Sequence, residues 1–386
     1  MRQLITFLFL CVLGSMLYAQ GFEVGHTSMT FIDDNRDTRE IPVEIYYPAT
    51  TAGEDVPVAG SNHPVLSFGH GFIQSYVDNI YIADSLVPYG YIVAFLNTET
   101  GFSPSHEDFG LDFAFAIDAI KNEGQTAGSL FEGTVGSTAG VMGYSMGGGA
   151  SFLAASYSSS IDCMVTLAPA ETSPSAVEAG ASITIPALVL AGSDDCIASP
   201  ADHQIPLYQG LGSNCKTYIE ITGGSHCKFA NNELCDIAEL LCSGTIDYAD
   251  QHNTMFRYII PFLAHYLKGD ANAITTFNGH LVSDSEITYQ ENCGVTSIEE
   301  LEEKYSVKVY PNPVQDMFTV SIGEGIGEYM DWELLDISGK LLQTDKVWVT
   351  KGNSTLTISM EGYSKGIYML RLRAGNVEGT YSIVKE

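Results

Sequence analysis

Apolar positions along the chain fall into two different rhythms. From residue 22 to about 290, short and nearly unbroken apolar runs alternate with longer stretches whose apolar residues recur at helical spacing. Ile41–Tyr47, Pro64–Phe68, Tyr91–Leu96, Gly140–Met142, Ile161–Leu167, Pro186–Leu190 and Tyr218–Ile221 read as strands. Ile80–Val87, Gly110–Ile120, Met146–Tyr157 and Phe256–Leu267 read as helices, the last with Pro261 placed to kink it. Strands without polar alternation need cover on both faces. The order therefore predicts an α/β domain over 22–290, with a mainly parallel sheet between two helical layers. Pro42 lacks a ladder N–H and predicts that its strand lies near a sheet edge.

Near residue 295 the rhythm changes. Glu299-Glu300-Leu301-Glu302-Glu303 marks an acidic linker, taken as 291–304 and solvated rather than cation-binding. Beyond it, Val307–Tyr310, Phe318–Ile322, Trp332–Leu335, Thr355–Ile358 and Ile367–Leu370 alternate apolar and polar residues between Gly and Asn punctuation. They predict a small antiparallel β-sandwich over 305–386. It is a carrier or sorting module on one reading and a polymer-binding module on the other. At the other end, Arg2, the apolar stretch Leu4–Leu13 and Ala19 compose a secretory signal over 1–19. No later segment reaches the roughly 20 apolar residues of a membrane span, so no transmembrane anchor is expected.

Composition narrows the partners. The 386 residues carry 17 Lys plus Arg against 47 Asp plus Glu, a formal charge of −30. Nucleic acid and anionic membranes both need a basic footprint, so neither is expected, and neutral small molecules or polymers are favoured. Once Cys11 leaves with the signal, seven cysteines remain, none in a Cys-x-x-Cys pair. Export favours disulfides over zinc or dithiol chemistry, and the odd count leaves one thiol over. Cys163, inside an apolar run, reads as a core residue.

Candidate chemistry gathers at the ends of the predicted strands. Gly143-Tyr144-Ser145-Met146-Gly147 fits G-x-S-x-G between a strand and a glycine-rich helix start. Such a sharp turn exposes its serine and needs small neighbours. Ser145 is the expected nucleophile. The chain order Ser, acid, His continues after two later strands, at Asp194-Asp195 and at His226. His226 is the expected base. Asp195 is the first choice for the acid and Asp194 its rival, because the turn decides which reaches inward. The backbone amides of Met146 and of Phe72, in Gly69-His70-Gly71-Phe72, are the expected oxyanion donors. His70 is read as packing under that loop. Asp33, Asp34, Asn35 and Asp37 read as solvated turn residues, and His106, Asp108 and Asp112 as surface or capping residues. No metal or organic cofactor is expected.

These residues resemble the α/β-hydrolase superfamily over about 35–268. They are most similar to its cutinase-like polyesterases and poly(ethylene terephthalate) hydrolases, with dienelactone-hydrolase-like and acetylhydrolase-like esterases near by. The resemblance implies a catalytic set of Ser145, Asp195 and His226 with an oxyanion hole at Phe72 and Met146, and it favours Asp195 over Asp194. Polyesterases carry a tryptophan where Leu167-Ala168-Pro169-Ala170-Glu171 places Ala170, so any aromatic platform must come from elsewhere. Some members link the acid and histidine loops by a disulfide. Cys196 and Cys227 directly follow Asp195 and His226, so the resemblance points to a bridge between these loops, with Cys235 and Cys242 as other partners.

The tail is similar to the type A sorting domain of the type IX secretion system of Bacteroidota, on Tyr310-Pro311-Asn312-Pro313, Gly366–Arg371 and Lys385. This implies a secreted or cell-surface protein and a partnership with that export machinery. The expected activity is a serine carboxylic-ester hydrolase of the polyesterase type, taking a neutral ester or polyester. A small-ester or lipid esterase is the first alternative. An inactive polymer-binding protein is the second.

Overall fold

A computed structural model describes residues 21–242, 244–293, 295–296, 305–323, 327–337, 340–350, 354–374 and 377–386. The signal segment at 1–19 and the Glu299–Glu303 connector lie outside the described residues.

The first part of the chain builds one large sheet. In chain order its elements are β1 (Glu23–Asp33), β2 (Arg39–Ala49), β3 (Gly53–Glu54), β4 (His63–Gly69), α1 (Tyr81–Leu86), β5 (Ile92–Leu96) and α2 (His106–Glu123). They continue with β6 (Val135–Tyr144), α3 (Met146–Tyr157), β7 (Cys163–Leu167), α4 (Ala176–Gly180), β8 (Ala187–Gly192), α5 (Gln204–Gly210) and β9 (Cys215–Ile221). Last come α6 (Glu233–Ala238), α7 (Tyr248–Lys268), α8 (Ala271–Ser283) and β10 (Ile287–Cys293). The strand order is β10-β9-β8-β7-β6-β4-β5-β2-β1-β3. From β5 through β9 the neighbours are parallel, and β2 and β10 flank that block antiparallel.

Burial on both faces explains the unbroken apolar runs. Along β4, Val65 joins the layer with Phe109, Phe113 and Phe152 of α2 and α3. Its neighbours Leu66 and Phe68 join the opposite layer with Tyr258 and Phe262 of α7. This is the α/β-hydrolase arrangement, with helices on both sides of a mainly parallel sheet. Helix α3 matches its expected span, and α7 runs through Pro261 as one helix.

Three expectations need correction. β2 is not at the edge, because β1 pairs along its whole length and β5 pairs with Val43–Tyr46. Pro42 is tolerated because its carbonyl accepts the Asn97 N–H at 3.0 Å, just past the end of β5. The N–H that proline lacks would point the same way, beyond the ladder. Asp112 is not a surface residue: it is fully buried, and so nearly is Asp33. Asp112 accepts from Arg36 at 2.6 Å, from Arg39 at 2.7 and 2.9 Å, and from the Thr98 hydroxyl at 2.7 Å. Asp33 accepts from Arg36 at 2.7 Å. Hydrogen bonding to Asp112 pushes the Arg39 pKa upward, so the guanidinium stays charged. Finally, β10 continues to Cys293, three residues beyond the boundary expected at 290.

The tail forms two sheets around their own core. Strands β11 (Val295–Thr296), β14 (Glu328–Asp336), β15 (Leu341–Val349), β17 (Gly366–Ala374) and β18 (Val377–Lys385) form one, in the order β11-β18-β17-β14-β15. Strands β12 (Val307–Tyr310), β13 (Met317–Ile322) and β16 (Ser354–Ser359) form the other. Phe318, Val320 and Ile358 from the smaller sheet pack with Leu334, Leu370 and Ile383 from the larger.

Removing the buried carboxylate would leave two arginines without their shared partner. Asp112→Ala is expected to lower unfolding stability by about 3–5 kcal/mol. Urea unfolding monitored by circular dichroism measures it, and a loss below about 1 kcal/mol, the range of exposed pairs, would overturn the role given to this network.

Candidate active site

Three strand ends on one side of the sheet carry the candidate groups. Ser145 occupies the turn between β6 and α3 with φ 54° and ψ −114°, a conformation that costs a non-glycine residue about 1–3 kcal/mol. Its surroundings hold it there. The Ser145 N–H donates to Leu167 O at 2.9 Å, and its carbonyl accepts from Gly149 and Ala170 at 3.0 and 2.9 Å. Glycine is required on both sides: a Cβ on Gly143 would stand 2.2 Å from Gly147 O, and one on Gly147 would stand 2.2 Å from Gly69 O.

His226 follows β9, and Asp195 follows β8. The His226 Nε2 lies 2.9 Å from Ser145 Oγ, and its Nδ1 lies 2.7 Å from Asp195 Oδ2. The Ile197 and Ala198 amides donate to the other Asp195 oxygen at 3.0 and 2.8 Å, which fixes the carboxylate plane. The Asp195 side chain is fully buried. Its rival Asp194 accepts only from the neighbouring Ser193 hydroxyl, at 3.3 Å, and makes no contact with His226 among the described residues.

The loop after β4 supplies the facing wall. Among the described residues, the Phe72 and Met146 amides donate to no group of the chain. His70 is buried under this loop, with Nε2 2.8 Å from Thr98 O and Nδ1 2.8 Å from Gly71 O. Burial draws the His70 pKa below the ordinary imidazole value, against the opposing pull of those carbonyls. The His70 carbonyl accepts the Gly147 N–H at 3.1 Å, which joins this loop to the serine turn. Through Thr98, the Asp112 network continues into the same loop.

Two clefts meet at Ser145 and Phe72. One, of about 230 Å³, is walled by Tyr144, Ile197, His226 and Leu234. The other, of about 340 Å³, is walled by Pro104, His106, Met146, Ala170 and Glu171. Phe72 is half exposed between them, whereas Met146 is almost entirely buried.

The expected bridge between Cys196 and Cys227 is not formed. Cys196 bonds to Cys242 and Cys227 to Cys235, while Cys215 bonds to Cys293. The reason is the segment 232–242, which packs over both loops. Its Glu239 accepts from the Ser225 hydroxyl at 2.8 Å and from the Cys227 amide at 2.9 Å. Each loop cysteine therefore meets a cysteine of this strap rather than the other loop.

One positioning residue was not read from the sequence. Gln251, fully buried on α7, accepts the Ser225 N–H and donates to the Ser225 carbonyl, both at 2.9 Å. It clamps the residue before His226. Its only signal was a polar residue on the inward helical spacing shared with Met255, Tyr258 and Phe262.

Comparison with known proteins agrees with this architecture. The family described as PET hydrolase-like matches residues 42–270, and the secretion system C-terminal sorting domain matches residues 308–386. A bis(hydroxyethyl) terephthalate hydrolase of Streptomyces coelicolor is 28% identical over 183 residues, covering 47% of this chain and 54% of that protein. Cutinase 1 of Thermobifida cellulosilytica is 26% identical over 189 residues, covering 49% and 65%. A cutinase of Thermobifida fusca is also 26% identical over 189 residues, covering 49% and 57%. The chain thus spans between about half and two thirds of the length of these relatives.

The cysteine pattern makes its own prediction. Cys163 is buried, and burial pushes its thiol pKa upward. Protein starting after residue 19 is expected to resist thiol labelling while folded and to take up one equivalent after denaturation without reductant. Labelling of several thiols in the folded protein would overturn the pairing.

Proposed function

This chain belongs to the PET hydrolase-like family, and from that premise we propose that it is a secreted serine carboxylic-ester hydrolase of the polyesterase type. The observation that carries the reading is the unbroken line of contacts from Asp195 through His226 to the Ser145 hydroxyl. Ser145 Oγ attacks the ester carbonyl while His226 Nε2 takes its proton. The Asp195 carboxylate accepts the Nδ1–H of His226, holds that tautomer and stabilises the imidazolium. The Phe72 and Met146 amides donate to the tetrahedral oxyanion. His226 then returns the proton to the departing alcohol, which leaves an acyl group on Ser145. Water, deprotonated by the same imidazole, releases the acid and restores the serine.

The substrate is a neutral ester or polyester. Support comes from relatives named for terephthalate-ester and cutin hydrolysis, and from a −30 charge that disfavours anionic partners. Ala170, in the wall of the larger cleft, favours a second reading, a small-ester esterase. The tail, matched to a sorting domain, would deliver the enzyme outside the cell through the type IX secretion machinery.

Ser145→Ala is expected to lower kcat/KM on a short p-nitrophenyl ester by about 10⁴-fold or more, with unchanged circular dichroism. Near-normal turnover would refute the nucleophile. A fluorophosphonate adduct on Ser145 separates an enzyme from an inactive binding protein. Asp195→Asn is expected to cost kcat about 10⁴-fold, whereas Asp194→Asn leaves it near the parent value. The reverse ranking would reassign the acid. A panel of soluble esters, triglycerides and aromatic polyester film decides between the two substrate readings.

A further inference from the structure

The strap beside the histidine loop has inverted polarity. A surface helix ordinarily turns its apolar side inward and its polar side to water. Here Leu234, Ile237 and Leu240 are 65%, 63% and 77% exposed. Three of the strap's polar side chains, Asn232, Asp236 and Glu239, face the protein instead. Glu239 is engaged by the histidine loop, Asp236 accepts from the Tyr248 hydroxyl at 2.5 Å, and Asn232 donates to Asp78 at 2.8 Å. Disulfides at Cys235 and Cys242 fasten the same side. The aliphatic residues therefore cannot roll inward without breaking cystines and buried hydrogen bonds.

A contiguous exposed apolar surface marks a contact site. Two observations say what covers this one. It runs directly into the cleft that holds Ser145 and His226, because Leu234 and Ile197 line that cleft. The −30 charge of the chain repels anionic membranes and polyanions, which leaves an uncharged apolar surface as the fitting partner. We propose that the outward face of the strap, Leu234, Ile237 and Leu240 with Ile197, is the platform on which solid polyester rests while one of its ester groups reaches Ser145. The platform supplies from the histidine side the apolar contact that Ala170 does not supply from the other. This inference rests on the esterase reading of the cleft.

Adsorption of the full chain to amorphous poly(ethylene terephthalate) film is measured in the Ser145→Ala background, where no turnover erodes the surface. Ile237→Ser with Leu240→Ser is expected to weaken adsorption at least about tenfold, the scale of losing even one aliphatic side chain from an apolar contact. Ile237→Leu with Leu240→Ile is expected to retain adsorption. With Ser145 intact, the serine pair is expected to lower the ratio of film to soluble-ester rates by a similar factor. Unchanged adsorption by the serine pair, with thermal unfolding like that of its parent, overturns the platform. Lost binding to phosphatidylcholine vesicles with film adsorption intact overturns it too, by assigning the face to a membrane. The predicted loss of adsorption, found together with full ester turnover by Ser145→Ala, supports the platform and removes only the serine assignment.

Discussion

Everything at the site depends on one imidazole touching two groups that lie far away in the chain. His226 stands 2.9 Å from a residue 81 positions earlier and 2.7 Å from one 31 positions earlier. No local propensity can bring these together. The sheet does so, because parallel strands β6, β8 and β9 end on the same side and deliver their following loops to one place. The backbone at Ser145 is the strained member of this assembly. Its cost is met by three hydrogen bonds to Leu167, Gly149 and Ala170, and by glycines that let β4, β6 and α3 approach to backbone contact. A methyl group at Gly147 would separate the serine turn from the loop that carries Phe72.

How much of this was legible depended on how local the constraint was. The G-x-S-x-G turn was readable because steric demands act between residues a few positions apart, and α3 begins and ends where the composition says. The chain order Ser, acid, His was readable from the succession of strands, whereas the preference for Asp195 over Asp194 came from the family resemblance. The rest is set by partners distant in sequence. Asp112 looks like an ordinary helix carboxylate until Arg36, Arg39 and Thr98 converge on it. Pro42 looks like an edge residue until the end of β5 is located. Cysteine pairing depended on a segment with no strong periodicity of its own, whose docking decides which sulfurs meet. Gln251 was visible only as a polar residue at an apolar helical position, a signal without a direction.

The polar network behind the Phe72 loop and the cystine strap on the histidine side solve the same problem differently. The loop carrying Phe72 is braced from within, by His70 lodged between two carbonyls and by the Asp112 cluster reaching it through Thr98. The acid and histidine loops are braced from outside, by covalent links to a common segment. Such cross-links reduce the freedom of the unfolded chain and suit a protein that works where no reducing pool maintains thiols.

That external bracing also accounts for the unusual surface. A short segment anchored by two cystines and by Glu239 does not need an apolar core contact to stay in place. Its apolar residues are thereby released from a structural duty that they would ordinarily perform. Exposed aliphatic surface raises the hazard of self-association, and a large negative charge opposes that by keeping copies apart. The same charge leaves contact with a neutral surface unopposed. Covalent staples, inward carboxylates, outward aliphatic residues and an acidic exterior therefore fit together as one arrangement, in which the bracing of the acid and histidine loops and the exposed apolar rim of the cleft come from the same short segment.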